Sequence, residues 1–128
     1  MRLLLDTHAL VWWLEGGQRL SQKARKAIAD PDADVHVSAA SAYEVSLKFM
    51  LGKFPEAEAL VGSWRETIAG AGFHELDISA RHALRAGSLP RHHRDPFDRL
   101  IVATALEDGL ALVTNDAAIL QYGAPVLW

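Results

Sequence analysis

Four acidic residues lie where acids could act together on one ligand: Asp6, Glu44, Asp98 and Asp116. Each stands where a short apolar run gives way to a helical pattern, or in the first turns of such a helix. In an alternating α/β chain these junctions gather along one edge of a parallel sheet. Four carboxylates on one edge repel each other unless a cation lies among them. The pattern therefore predicts a divalent-metal site and metal-assisted hydrolysis.

Polar residues next to two of these acids support the same interpretation. Thr7 follows Asp6, and Thr114 and Asn115 come just before Asp116. Hydroxyl and amide groups at such positions can orient carboxylates that bind a metal. Because the donor set contains only oxygen, it suits Mg²⁺ or Mn²⁺ better than zinc. The sequence has no cysteine, which excludes disulfides and thiolate metal sites.

Helix capping is the alternative explanation for each acid. In the segment 95–98, Asp95 can cap a helix, with proline at its first position and an acid in its first turn. The segment 41–44 matches a capping box, in which Glu44 bonds back to the cap's own amide. Asp116 can cap a short helix in the same way. Asp6 is the hardest to explain by capping, because it interrupts an apolar strand.

Length and composition predict one ordinary globular domain over residues 1–128. Half of the residues are apolar and 23% are charged. No apolar run approaches the roughly 20 residues of a membrane helix, and no secretory signal pattern is visible. We therefore expect a cytoplasmic protein without a membrane partner. The net charge of −3 argues against a generally basic nucleic-acid binder.

Basic residues are nevertheless concentrated late in the chain. Between positions 81 and 99, arginines and histidines recur and only Asp95 and Asp98 oppose them. A solvated helix face is the simpler explanation for any one of these arginines. As a group beside an acidic pocket, they could bind the phosphates of a polyanion. We predict this role for Arg91, Arg94 and Arg99.

The order of predicted elements defines the fold class. Short strands are predicted at residues 2–5, 35–37, 73–76, 111–113 and 124–128. Helices are predicted at 9–14, from 22, from Ser38 or Ser41 to about 51, at 55–69, 79–86 and 96–108. Strands that alternate with helices indicate an α/β three-layer sandwich: a central, mainly parallel sheet of four to five short strands, flanked by helices.

Several stretches together resemble a known family. The resemblance rests on the opening segment 3–13 (LLLDTHALVWW), on Glu44, on the segment 92–100 (HHRDPFDRL) and on the ending 112–116 (LVTND). In order and spacing these are similar to the PIN-domain toxins of the VapC-like kind, which belong to type II toxin–antitoxin pairs. The resemblance extends over nearly the whole chain.

The resemblance implies a PIN-like fold and a metal-dependent endoribonuclease. It implies that Asp6, Glu44, Asp98 and Asp116 are the metal-binding and catalytic acids, with Mg²⁺ or Mn²⁺ as cofactor and RNA as substrate. Asp95 is expected to be a cap that could reach an outer-sphere water. The implied partners are a cognate antitoxin, whose C-terminal segment lies in an apolar groove near the active site, and a second copy of the toxin.

Two adjacent tryptophans are candidates for the antitoxin contact. On a helix, Trp12 and Trp13 point about 100° apart, so one can fill the core while the other reaches a groove. An exposed tryptophan would be a natural binding hot spot. The alternative is that both rings pack in the core.

Two other functions stay open. The chain could bind RNA or a protein without cleaving anything, its acids serving as caps. A haloacid-dehalogenase-like phosphohydrolase, with Asp6 as nucleophile, is a weaker alternative. It needs a second acid where this chain has His8, and a late lysine, whereas the last lysine here is Lys53.

Overall fold

A computed structural model describes residues 1–128 and centres on a five-stranded sheet in which every strand pair is parallel. The order across the sheet is β3-β2-β1-β4-β5. The strands are β1 (Arg2–Leu5), β2 (Asp34–Ser38), β3 (His74–Leu76), β4 (Ala111–Val113) and β5 (Val126–Leu127).

Helices connect and cover the strands. They are α1 (Thr7–Leu14), α2 (Gln22–Ala29), α3 (Ala39–Met50), α4 (Glu58–Gly62), α5 (Trp64–Gly70), α6 (Ala80–Ser88), α7 (Pro96–Asp108) and α8 (Ala117–Leu120), with a 3₁₀ turn at Pro55–Ala57. None of these helices has the length and apolarity needed to span a membrane.

Two apolar layers hold the helices to the sheet. Leu3 and Leu5 of β1 point into a core that includes residues of α1, α2 and α5. Leu4 points to the opposite face, into a core built with α3, α7 and α8. Strands buried on both faces have continuous apolar sequences, as the Leu3–Leu5 run does. Burying each leucine contributes roughly 1.5–3 kcal/mol. The predicted three-layer α/β sandwich is confirmed.

The strand order determines where a site can form. From the central strand β1 the chain adds β2 and then β3 on one side, and later β4 and β5 on the other. Leu5, the last residue of β1, pairs with Val37 on one neighbour and Val113 on the other. In open parallel sheets, ligands bind at the carboxyl ends of the strands where the order reverses. Here that place is the edge formed by β2, β1 and β4.

Two predicted elements differ from the structure. The predicted helix 55–69 is interrupted at Ser63, whose φ of −135° and ψ of 39° are not helical. Gly62, a poor helix former, precedes the break, and the Ser63 hydroxyl donates to the carbonyl of Ala59 at 2.7 Å. The last strand is limited to Val126–Leu127, shorter than the predicted 124–128.

Candidate active site

Asp6 directly follows the central strand β1 and lies at the edge of the sheet where the site forms. Its main-chain N–H donates to the Val113 carbonyl of β4 at 3.2 Å. Its side chain is the N-cap of α1 and accepts from the Ala9 N–H at 2.7 Å. Burial raises the pKa of Asp6, and the charge of Asp116 adds to this, whereas hydrogen bonds from Thr114 and Ala9 lower it. Asp6 therefore does cap a helix, contrary to the expectation from sequence, and also faces another acid.

Glu44 enters from α3, which follows β2. The side chain is buried at 3% exposure, and Oε2 forms an ion pair with Lys48, one helical turn later. The other oxygen, Oε1, is buried without a hydrogen-bond partner. A buried carboxylate oxygen without a partner costs free energy unless something else binds it.

The predicted capping box at residues 41–44 is wrong. Helix α3 begins three residues earlier, because Ser38 at the end of β2 serves as its N-cap and accepts from the Ala40 N–H at 3.0 Å. Ser41 is instead buried inside the helix, where its hydroxyl lies 2.9 Å from the hydroxyl of Thr7. Glu44 is consequently free of a capping role.

Asp98 lies in the first turn of α7. The N-cap is Asp95, as predicted, and accepts from the N–H groups of Phe97 and Asp98 at 2.8 and 3.3 Å. The pKa of Asp98 is raised to about 7, by burial first and then by the charges of Asp95, Glu44 and Asp6, while His93 lowers it. These interactions indicate that acids from α1, α3 and α7 share one pocket.

Asp116 closes the pocket from the loop after β4. Its Oδ1 accepts from the Ala118 N–H at 2.9 Å and so caps α8, while its Oδ2 lies 2.8 Å from His93 Nε2. Its own N–H donates to the hydroxyl of the buried Thr114 at 3.1 Å. Asn115 is exposed.

The four predicted acids therefore come together at the carboxyl edge of the sheet. One oxygen from Asp98, one from Asp116 and a His93 nitrogen all lie within 4.8 Å of one another. The carboxylates offer the oxygen donors that Mg²⁺ and Mn²⁺ prefer. The unpartnered Glu44 oxygen is what such a cation would satisfy, so the residues present fit a divalent metal.

Sequence reasoning missed two side chains of the site. Lys48 pairs with Glu44, and His93 contacts both Asp98 and Asp116. The spacing of four residues on one helix could have suggested the Lys48 contact. His93 could be read from sequence only as a loop residue, because its contacts depend on the path of that loop.

The expectation that Arg99 binds phosphate requires correction. Its guanidinium nitrogens donate hydrogen bonds of 2.7–3.3 Å to the main-chain carbonyls of Ala86, Leu89, Pro90 and His93. The donors that would bind a ligand thus fasten the loop between α6 and α7. Arg91 and Arg94 are exposed and, with His93 and Arg99, line a pocket of about 260 Å³ beside the acids.

Trp12 lines a groove next to the acids, and Trp13 does not. Trp12 and Lys48 line a cavity of about 340 Å³ between α1, α3 and the 3₁₀ turn. The Trp12 ring also packs edge-on against Trp128, with centroids 5.9 Å apart. Both rings are partly buried against the core, where Trp13 packs on Phe73. The two rings therefore diverge, as adjacent helical positions predict.

Comparison with known proteins identifies the class to which this fold and site belong. The family model of the PIN domain matches residues 3–125. Ribonuclease VapC22 of Mycobacterium tuberculosis (strain ATCC 25618 / H37Rv) is 35% identical over 124 residues, which cover 96% of this chain and 93% of that protein. The chain belongs to the PIN domain family and is VapC-like. This family membership argues against the haloacid-dehalogenase-like alternative.

Solved structures show the same fold at low identity. VapBC2 of Rickettsia felis, bound to a DNA fragment from its promoter, superposes with a TM-score of 0.69 at 16% identity, over 98% of this chain and 96% of that one. VapC20 of Mycobacterium tuberculosis, a sarcin-ricin loop cleaving toxin, gives a TM-score of 0.68 at 17% identity, over 95% of both chains.

The raised pKa of Asp98 predicts that the metal-free protein loses folding stability as the pH rises. The folded state holds this proton more tightly than the unfolded state, so ionising Asp98 destabilises the fold increasingly from about pH 4 to about pH 7, and constantly above that. We expect Asp98→Asn to be more stable than the wild type in EDTA at pH 8, by up to about 4 kcal/mol, since each pKa unit corresponds to about 1.4 kcal/mol.

Thermal melts of both proteins between pH 4 and pH 8 would measure this difference. The advantage of Asp98→Asn should shrink toward pH 4, and added Mn²⁺ should stabilise the wild type more than the variant. If the variant were less stable than the wild type at pH 8, the conclusion that the neighbouring acids destabilise ionised Asp98 would be wrong.

Proposed function

We propose that this protein is a divalent-metal-dependent endoribonuclease and the toxin of a type II toxin–antitoxin pair. The observation that carries the proposal is the unpartnered, buried Glu44 Oε1 in a pocket shared with Asp6 and Asp98. The similarity to Ribonuclease VapC22 supports RNA as the substrate.

The acids would have unequal roles. Asp6, Glu44 and Asp98 would hold Mg²⁺ or Mn²⁺, and Asp116 would act through water, because both of its oxygens already accept hydrogen bonds. The metal would supply positive charge to the phosphate and lower the pKa of the attacking water. Thr114 would orient Asp6, and Asp95 would fix the start of α7, while nothing in the structure gives Asn115 a part.

Flanking phosphates of the RNA would lie against the basic pocket. Arg91 and Arg94 line it, and His93 belongs both to this pocket and to the acid cluster. A flexible strand reaches both places more easily than a stiff duplex does, which favours single-stranded or looped RNA. VapC20, with the same fold, is described as a toxin that cleaves the sarcin-ricin loop.

One observation favours a second candidate, a PIN-like module that binds RNA or protein without cleaving. Asp6, Asp95 and Asp116 each cap a helix, and capping alone would account for their presence. Glu44 caps nothing, which favours the catalytic proposal.

Cleavage of total RNA distinguishes the two candidates. We expect discrete fragments from purified, antitoxin-free protein with Mg²⁺ or Mn²⁺, and none with EDTA. Glu44→Gln and Asp98→Asn should each reduce the rate by at least ~100-fold, the upper range for removing a group that only supports a metal ligand. Asp77→Asn, at an exposed acid outside the pocket, is the matched control. Equal cleavage by Asp98→Asn would refute the assigned site.

An antitoxin segment is proposed to lie in the Trp12 groove. A second hollow of about 230 Å³ continues it and shares Val11 and Phe54 with the first. Together they form a partly apolar channel that ends beside Lys48, and hence beside the acids. A bound segment would therefore also cover the pocket. A similar solved structure, from Klebsiella pneumoniae, is a toxin-antitoxin complex.

Trp12→Ala should weaken antitoxin binding by roughly 30-fold or more, as expected for a tryptophan hot spot of about 2 kcal/mol. The partner to test is the product of any small open reading frame that adjoins the gene, with affinity measured by calorimetry. Leu84→Ala, at an exposed leucine on α6, is the control. Unchanged affinity in a folded Trp12→Ala protein would place the antitoxin elsewhere.

A homodimer is part of the same proposal. Helix α3 exposes a stripe of apolar side chains, with Tyr43 at 64% and Met50 at 81% exposure, followed by Leu51 at 58%. Large apolar side chains grouped on one face commonly mark an interface. We expect light scattering to report twice the 14.0 kDa chain mass, and Met50→Glu to shift the mass toward the monomer. A monomeric wild type at micromolar concentration would exclude it.

A further inference from the structure

His93 is fixed through every polar group that it carries. Its main-chain N–H donates to the Tyr122 hydroxyl at 2.8 Å, and its carbonyl accepts from Arg99 at 3.3 Å. Its ring nitrogen Nδ1 accepts from the Asp95 N–H at 3.1 Å. The ring, whose side chain is 16% exposed, is therefore held in one orientation before any ligand binds.

These contacts determine which ring nitrogen carries the proton. Because Nδ1 faces the N–H of Asp95, it must present a lone pair, and in a neutral imidazole the proton then resides on Nε2. Nε2 lies 2.8 Å from Asp116 Oδ2 and 3.2 Å from Asp98 Oδ2. An ionised Asp116 carboxylate can only accept the hydrogen bond at Nε2, so both sides of the ring require the same tautomer.

The position of His93 near two acids also suggests a metal ligand, but the tautomer argues against it. A ligating histidine offers a lone pair on the nitrogen that binds the metal. If that nitrogen were Nε2, the proton would move to Nδ1 and would point at the Asp95 N–H, placing two donors against each other.

We propose that His93 is a positioning residue: its Nε2–H donates to Asp116 and lies against Asp98, which holds both carboxylates in place for the metal, and His93 does not itself bind the metal. The inference deepens the proposed function and rests on its metal site. His93 Nε2 also lies 3.2 Å from Asp98 Oδ2, so the positive end of the same N–H dipole attracts that carboxylate. By donating to Asp116, His93 occupies the only oxygen that Ala118 leaves open.

The tautomer can be measured directly on the wild-type protein. ¹⁵N–¹H spectra of histidine-labelled protein, with the His93 signals assigned by their loss in His93→Gln, should show a protonated Nε2 and an unprotonated Nδ1. Saturation with Mg²⁺ should leave that pattern unchanged. A proton that moves to Nδ1 when Mg²⁺ is added would make His93 a ligand and overturn the proposal.

Metal affinity tests the positioning role. Electron paramagnetic resonance of free Mn²⁺ should give 10–100-fold weaker binding for His93→Ala, the range for a group that supports a metal ligand. His93→Gln, whose side-chain amide carries a donor at a similar reach, should restore most of the affinity. His92→Ala, at the exposed neighbouring histidine, should bind Mn²⁺ as the wild type does.

The outcomes separate this inference from the proposed function. If the wild type binds Mn²⁺ and a folded His93→Ala binds it equally well or more tightly, the positioning role is wrong and the metal site stands. If the wild type binds no Mn²⁺ at millimolar concentration, the metal site fails and the inference fails with it. Equal melting temperatures of wild type and variants in EDTA would show that lost affinity does not come from unfolding.

Discussion

The structure depends on holding several carboxylates close together at one edge of a buried sheet. Burial and mutual repulsion both favour the uncharged acid, which is why the pKa of Asp98 rises to about 7. The acids are held by contacts around the pocket, from helix N-termini and from the side chains of Lys48 and His93.

Helix N-termini supply most of these contacts. Asp6, Asp95 and Asp116 each accept main-chain N–H bonds at the start of a helix, where the partial positive charge stabilises an anion. From sequence, capping and metal binding looked like alternatives. In the structure they are compatible for Asp6, which caps α1 through Oδ1 and still lies near Asp116 in the pocket. A capping hydrogen bond can thus offset part of the desolvation cost of a metal-binding carboxylate and also fix the direction of that carboxylate.

Much of this arrangement could be predicted because it depends on local patterns. The strand–acid junction at Asp6 and the Asp95 cap of α7 need only a few neighbouring residues. The errors arose where two local solutions compete. Ser38 and Ser41 are both suitable caps for α3, and the end of β2 at Ser38 decides between them. The interruption at Ser63 likewise follows a weak helix position at Gly62.

The role of the segment 89–95 could not be predicted, since it depends on partners distant in sequence. Tyr122, 29 residues beyond His93, donates to the Pro90 carbonyl and accepts from the His93 N–H. Arg99 binds carbonyls on both sides of the same loop. An arginine in a basic stretch suggests a phosphate ligand, yet Arg99 stabilises the loop that carries the other basic side chains. Arg91 and Arg94 can remain exposed beside the acids because Arg99 and Tyr122 hold their backbone in place. His93 faces inward for the same reason, so one fastened loop serves both the acidic pocket and the basic one.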